Sequence, residues 1–104
     1  MVDMISRKEV RVANPCGLHI RPAYLFARLA AKYEASVEIV KEGQSVNGKS
    51  VLEILMLAAT RDTVLTIVAR GKDAEQAVET LASVIERETP PEGDLPLADE
   101  AGAS

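Results

Sequence analysis

The sequence predicts an α+β sandwich: a mostly antiparallel sheet of four strands with three helices packed on one face. Three observations carry that prediction. The chain has 104 residues, 47% hydrophobic and 27% charged, the balance of a soluble globular protein with one core. Segments of period 2 are interspersed with segments of period 3.6, in the order strand, helix, strand, strand, helix, strand, helix. No internal repeat is visible, and mixed elements of this length bury their apolar faces by stacking helices on one side of a sheet. Aromatic residues make up only 3%, so Val, Ile, Leu and Ala must build the core.

Each element has its own signal. Residues 6–13 alternate around Val10 and Val12, as a half-exposed strand does. Residues 20–33 place Phe26, Leu29, Ala30 and Tyr33 at helical spacing, and Pro22 fits a first turn that has no N–H bond to lose. Residues 36–41 put Val37 and Ile39 on one face, and Glu42-Gly43 reads as a hairpin turn into residues 44–47. Ser50-x-x-Glu53 is a capping-box pattern opening a short apolar helix over about residues 51–58, with Ile54 and Leu57 as core. Residues 64–70 set Leu65, Ile67 and Ala69 against Val64, Thr66 and Val68. Asp73-x-x-Gln76 resembles a second capping box, before a helix with Ala77, Leu81, Val84 and Ile85 as its buried stripe. Pro90-Pro91 stops that helix. The domain is expected to span residues 1–87, and residues 88–104 to form a flexible, acidic tail containing Pro and Gly.

Charge and composition exclude several functions. Twelve Lys and Arg face 16 Asp and Glu, a net −4, so the basic footprint that nucleic acid or an anionic membrane needs is absent. No apolar run approaches the ~18 residues of a membrane span, and the first residues lack a signal peptide's apolar stretch. Cys16 is the only cysteine, so no internal disulfide can form. A cytoplasmic protein is expected. One His and one Cys supply too few ligands for a closed zinc site, which wants about four, so neither metal nor cofactor is expected.

The chemistry concentrates in Asn14-Pro15-Cys16-Gly17-Leu18-His19-Ile20-Arg21-Pro22-Ala23. His19 is the only histidine and stands just before a helix, where the first N–H groups point outward without partners. Such a terminus attracts anions by roughly 0.3–1 kcal/mol when exposed. Arg21 can reach the same place with a planar fork suited to phosphate oxygens, and Gly17 lets backbone approach closely. Imidazoles ordinarily titrate near ~6.5, so a neutral nucleophilic ring is available close to neutral pH. Attack on a phosphoryl donor would give a labile phosphohistidine, with positioning and electrostatics doing most of the catalysis.

Gly-Leu-His-Ile-Arg-Pro-Ala at residues 17–23, followed by Val-Asn-Gly-Lys-Ser at 46–50, resembles the histidine-containing phosphocarrier family HPr of the bacterial phosphoenolpyruvate:sugar phosphotransferase system. The likeness covers about residues 5–87. It implies an open-faced βαββαβα sandwich in which His19 takes a phosphoryl group on Nδ1 from phosphorylated enzyme I. His19 would then pass the group to the A domain of an enzyme II. Arg21 matches the arginine that steadies the phosphate, and Asn14 and Pro15 match the loop ahead of it. The chain would be a carrier acted on by other enzymes, not itself an enzyme.

Ser50 is a second site. Its residue type and position make it an N-cap worth ~1 kcal/mol, accepting from the Glu53 N–H. The resemblance adds that a serine here is phosphorylated by an ATP-dependent HPr kinase/phosphorylase, which could bring in a transcription regulator as partner. A dianion at a helix N-terminus is locally favourable, but the Glu53 carboxylate would oppose it. Ile20 replaces a residue that is small in the family, and Cys16 stands close by. Docking is expected on Ile20, Tyr24, Ala27 and Arg28 of the first helix and on Val51, Leu52 and Leu55 of the short one. Leu25 and Leu29 compete with Phe26, Ala30 and Tyr33 for the core. If those faces adjoin, they form an apolar ring around His19 with Arg21 and Arg28 at the rim, suited to brief encounters of a monomer with acidic partners. The alternative is a regulatory HPr-like protein, or a nitrogen-branch phosphotransfer component acting mainly by protein–protein binding. Retention of His19 and Arg21 favours the carrier, because a purely regulatory relative needs no nucleophile.

Overall fold

In the computed structural model, which describes residues 4–87, the chain runs β1 (Ile5–Arg11), α1 (Ile20–Ala30), β2 (Ser36–Lys41), β3 (Gln44–Asn47), α2 (Val51–Met56), β4 (Val64–Arg70) and α3 (Ala74–Glu86). The expected tail, residues 88–104, lies outside the described residues. The strands lie in the order β1-β4-β2-β3, and every neighbouring pair is antiparallel. This is the predicted α+β, open-faced βαββαβα sandwich.

Register explains the layering. Ile67 lies opposite Ile39, and Ile39 opposite Val46, so one apolar row crosses three strands on a single face. Val10 faces Leu65 beside it. Phe26 and Ala30 of α1, Ile54 of α2 and Leu81 and Ile85 of α3 are buried in the same core. Each large side chain buried this way contributes roughly 1.5–3 kcal/mol. On the other face of β4, Val68 is also buried; its register partners Arg7 and Glu38 are long enough to cover it with their aliphatic stems.

Several boundaries differ from the sequence expectation, each for a local reason. The first strand ends at Arg11 rather than residue 13, although Val12 stays buried and is bonded through its N–H to Thr63 O and its carbonyl to Asp62 N–H. The first helix ends at Ala30 rather than 33. Lys32 N–H donates to Leu29 O and Tyr33 N–H to Ala30 O, so the last turn tightens and Tyr33 keeps its helical side. Its hydroxyl donates to Thr80 Oγ1 at 2.9 Å, tying α1 to α3. The short helix likewise ends at Met56, where Leu57 and Ala58 bond three residues back and Ala58 turns to φ +51°. Glu42 and Gly43 make the expected hairpin, both at positive φ as in a type I′ turn.

One expected cap is absent. Asp73 precedes α3 but makes no side-chain bond to it. Its two carboxylate oxygens instead accept from Glu34 N–H and Ala35 N–H, both at 2.9 Å, clamping the α1–β2 turn to the β4–α3 turn. The Glu34 bond leads in holding this carboxyl below the usual range, with the Ala35 bond and the Lys49 charge adding to it against partial desolvation. Two lysines serve helix C-termini across the fold. Lys41 Nζ donates to Leu57 O, and Lys49 Nζ to Tyr33 O, each at 2.8 Å.

Candidate functional site

Asn14 to Gly17 form a tight turn: Gly17 N–H donates to Asn14 O, and the Asn14 side-chain oxygen accepts from Cys16 N–H, both at 2.8 Å. Asn first, Pro second and Gly fourth are the residues such a turn favours. Asn14 is the only buried polar residue among the described residues, so its amide fastens the turn from inside. Gly17 has φ +76°, and a Cβ there would stand 2.6 Å from Ala59 O. Leu18 N–H donates to the same carbonyl at 2.9 Å. The α2–β4 connection therefore braces the loop from below and brings the exposed Arg61 within two residues of that contact.

His19 caps α1. Its backbone is extended, its carbonyl accepts from Ala23 N–H at 3.0 Å, and Nδ1 accepts from Arg21 N–H at 3.4 Å. An accepting Nδ1 leaves the proton of the neutral ring on Nε2. The ring is half-buried, and the first turn of α1 contains no acidic residue. The Arg21 guanidinium is exposed, and no hydrogen bond or ion pair ties it to another described residue. A nucleophilic nitrogen, outward-pointing N–H groups and an available guanidinium thus share one helix terminus, an arrangement able to receive a tetrahedral anion.

Most of the residues expected to form a docking face reach the surface at least in part. Ile20 is 55% exposed, Tyr24 is half-buried and Arg28 is exposed. Ala27 departs from it: at 5% exposure it packs into the core with Leu25, Phe26 and Ala30. The reason is the angular position of residue 27, which at helical spacing falls beside Ala23 and Ala30. On α2, Leu52 is 76% exposed, while Val51 and Leu55 lean half-buried on the core. Met56, 67% exposed, belongs with Leu52 and was not singled out from sequence; its place four residues after Leu52 is the signal that finds it. Helices α1 and α2 pack side by side.

Ser50 is the N-cap of α2, with Oγ accepting from Glu53 N–H at 3.2 Å. Only half of the capping box forms. The Glu53 carboxylate accepts from Asn47 N–H at 2.9 Å, and Ser50 N–H donates to Asn47 O. The carboxylate that would oppose a phosphoserine is thereby anchored to the preceding strand. Gly48 makes the approach possible, since a Cβ there would stand 2.6 Å from Val37 Cγ1.

Among the described residues no cluster of His, Cys, Asp or Glu could hold a metal ion, and no helix is long and apolar enough to cross a membrane.

Comparison with known proteins assigns the class. The family described as the phosphorylation-site HPr component of the phosphotransferase system matches residues 6–87. The chain belongs to the HPr family, which takes in phosphocarriers and HPr-like proteins. Among its relatives, the phosphocarrier protein HPr of Haemophilus influenzae is 38% identical over 78 residues, covering 75% of this chain and 92% of that one. The HPr-like protein Crh of Bacillus subtilis is 35% identical over 82 residues, covering 79% and 96%. The crystal structure of HPr from Bacillus anthracis superposes with a TM-score of 0.74 at 40% identity, covering 78% of this chain and 96% of that one. Crh of Bacillus subtilis has been solved as a dimer with a swapped domain, so a monomer is not a property shared by all relatives.

Proposed function

We propose that the protein is a phosphocarrier in which His19 Nδ1 accepts a phosphoryl group from phosphorylated enzyme I and yields it to the A domain of an enzyme II. The placement of Nδ1 at the N-terminus of α1 carries the reading. Its bond to Arg21 N–H, at 3.4 Å, is long and easily given up. The Nδ1 lone pair then forms the P–N bond, while the electrons of the breaking bond return to the donor. Arg21 N–H, released from the ring, is free to donate to a phosphoryl oxygen, and the guanidinium can take two more. The acceptor reverses the step, and the ring leaves with its electron pair. Ile20, Tyr24, Leu52 and Met56 offer apolar contact around the site, with Arg21 and Arg28 steering acidic partners toward it. We place the carrier in the cytoplasm, with residues 1–87 as the working domain.

The test is incubation with enzyme I, Mg²⁺ and phosphoenolpyruvate. One acid-labile, base-stable phosphoryl group is expected, and none in His19→Ala. Stable incorporation into His19→Ala would end this reading.

A regulatory role at Ser50 is the second reading, favoured by the placement of its hydroxyl at the N-terminus of α2. An ATP-dependent HPr kinase should then place an acid-stable label that Ser50→Ala lacks. No label on the native chain eliminates that role.

A further inference from the structure

We propose that the free edge of β1 pairs with β1 of a second copy, joining two four-stranded sheets into one while each β1 stays on its own β4. The pairing does not rest on the phosphocarrier reading above, and no domain is exchanged between the chains.

The bonds of the sheet show which backbone groups are left over. Gly71 N–H donates to Met4 O at one end of the β1–β4 ladder, and Val12 N–H to Thr63 O at the other. In an antiparallel ladder such bonded pairs recur at every second residue. Ser6, Lys8 and Val10 therefore bond to β4, whereas the N–H and carbonyl groups of Ile5, Arg7, Glu9 and Arg11 point away from it. Among the described residues no hydrogen bond engages those outward groups; Arg11 donates to Asp62 O through its side chain only. An open edge on a seven-residue strand is a template for another strand.

The opposite edge of the sheet is nearly closed. The same alternation in the β2–β3 hairpin, fixed by Gly48 N–H on Val37 O, turns Ser45 and Asn47 outward. Asn47 N–H is taken by the Glu53 carboxylate and its carbonyl by Ser50 N–H, so only Ser45 stays open on β3. Edge-to-edge growth therefore stops at two copies related by a two-fold axis.

Charge selects the occupant and the register. About a two-fold axis the two strands run antiparallel, and outward residues must stand opposite outward residues. Centring the pair on Arg7 sets Arg7 against itself. Centring it on Glu9 sets Glu9 against itself and Arg7 against Arg11. Centring it on Lys8 sets Arg7 of each copy against Glu9 of the other and Ile5 against Arg11, which engages all the outward residues. Arg7 and Glu9 are exposed, and neither has an ion-pair partner among the described residues. On the helix side this register brings Lys8 opposite its own copy, where Glu79 stands 3.5 Å from Lys8 Nζ as a counter-ion. The strand is thus its own complement.

A contact of two strands is small, so a weak dimer with a Kd of about 0.1–1 mM is expected. Translational diffusion of the full chain, measured by NMR from about 10 µM to 3 mM, should pass from one chain toward two and no further. Arg7→Glu and Glu9→Arg should each weaken association at least about 10-fold, because each creates two like-charge contacts across the axis. Both changes together should return it to within about 3-fold of the native chain. In the native chain, amide exchange of Arg7 and Glu9 should slow as concentration rises, while Lys8 and Val10, bonded to β4, stay slow throughout. A single chain at the highest concentration would overturn the proposal, as would a dimer equally strong in the two single variants. So would a dimer whose Arg7 and Glu9 amides exchange as fast as in dilute solution, the result that a swapped strand would give. Should either variant fail to fold, the exchange pattern of the native chain decides alone.

Discussion

Gly17 and Ser50 show how single side chains fix the two sites. At Gly17 the backbone sits at φ +76° and an added methyl would meet the Ala59 carbonyl at 2.6 Å. Neither strain can relax without moving the turn that delivers His19. Gly17→Ala is expected to lose about 2–4 kcal/mol of stability in urea denaturation, and to slow phosphoryl uptake in whatever fraction remains folded. An unchanged midpoint would mean that the loop is not braced as described. Ser50 is a milder case, because its Oγ satisfies one N–H of α2. Ser50→Ala should cost about 1 kcal/mol, while Ser50→Asp, which retains a capping oxygen, should cost less. Both variants lack the hydroxyl that a kinase would use, so a stability difference between them reports the cap alone.

Helix ends, more than helix interiors, distinguish the elements from what the sequence predicts. The 3.6-residue stripe of Phe26, Ala30 and Tyr33 is legible because spacing alone sets which face a residue occupies. It continues past the true end of α1 because the tightened last turn leaves Tyr33 on the same side. The His19 segment was legible for a related reason: the turn residues, the histidine, the arginine and the proline are all local to one strand-to-helix connection. Asp73 was not, since its partners, Glu34 and Ala35, stand 39 and 38 residues away and the same Asp-x-x-Gln spelling suits an ordinary cap. Ala27 lay at the border of the apolar stripe, where spacing alone does not say which neighbour covers it. The end of α2 yields its own prediction. Ala58 takes φ +51° with its side chain exposed, a conformation that costs a non-glycine residue about 1–2 kcal/mol. Ala58→Gly should therefore stabilise the protein by about 0.5–1 kcal/mol after glycine's larger entropy loss is counted. A fall in the melting temperature would show that the methyl group makes a contact of value.

The molecule is held together by long-range polar ties as well as its apolar core, and these link the ends of elements distant in sequence. Lys41 serves the end of α2, Lys49 the end of α1, and Asp73 joins the α1–β2 and β4–α3 turns at one end of the sheet. Only the last of these depends on a group that titrates at moderately acid pH. Its carboxyl is held below the ordinary value by the Glu34 N–H first, with Ala35 N–H and Lys49 contributing. A depressed folded value means that the unfolded chain binds the proton first. The stabilisation is therefore complete above the unfolded value, near ~3.9, and is lost as pH falls through the lower, folded one. Asp73→Asn removes the charge at every pH while keeping one oxygen acceptor. The native chain should be more stable than this variant at pH 7 and pH 5. The gap should narrow as acid protonates Asp73, and at the most acid pH the two should denature alike. Urea midpoints measured in parallel from neutral to strongly acid pH read that gap directly, with the other carboxylates cancelling between the two chains. A gap that stayed constant across the range would mean that the clamp works by shape alone and that its charge contributes nothing.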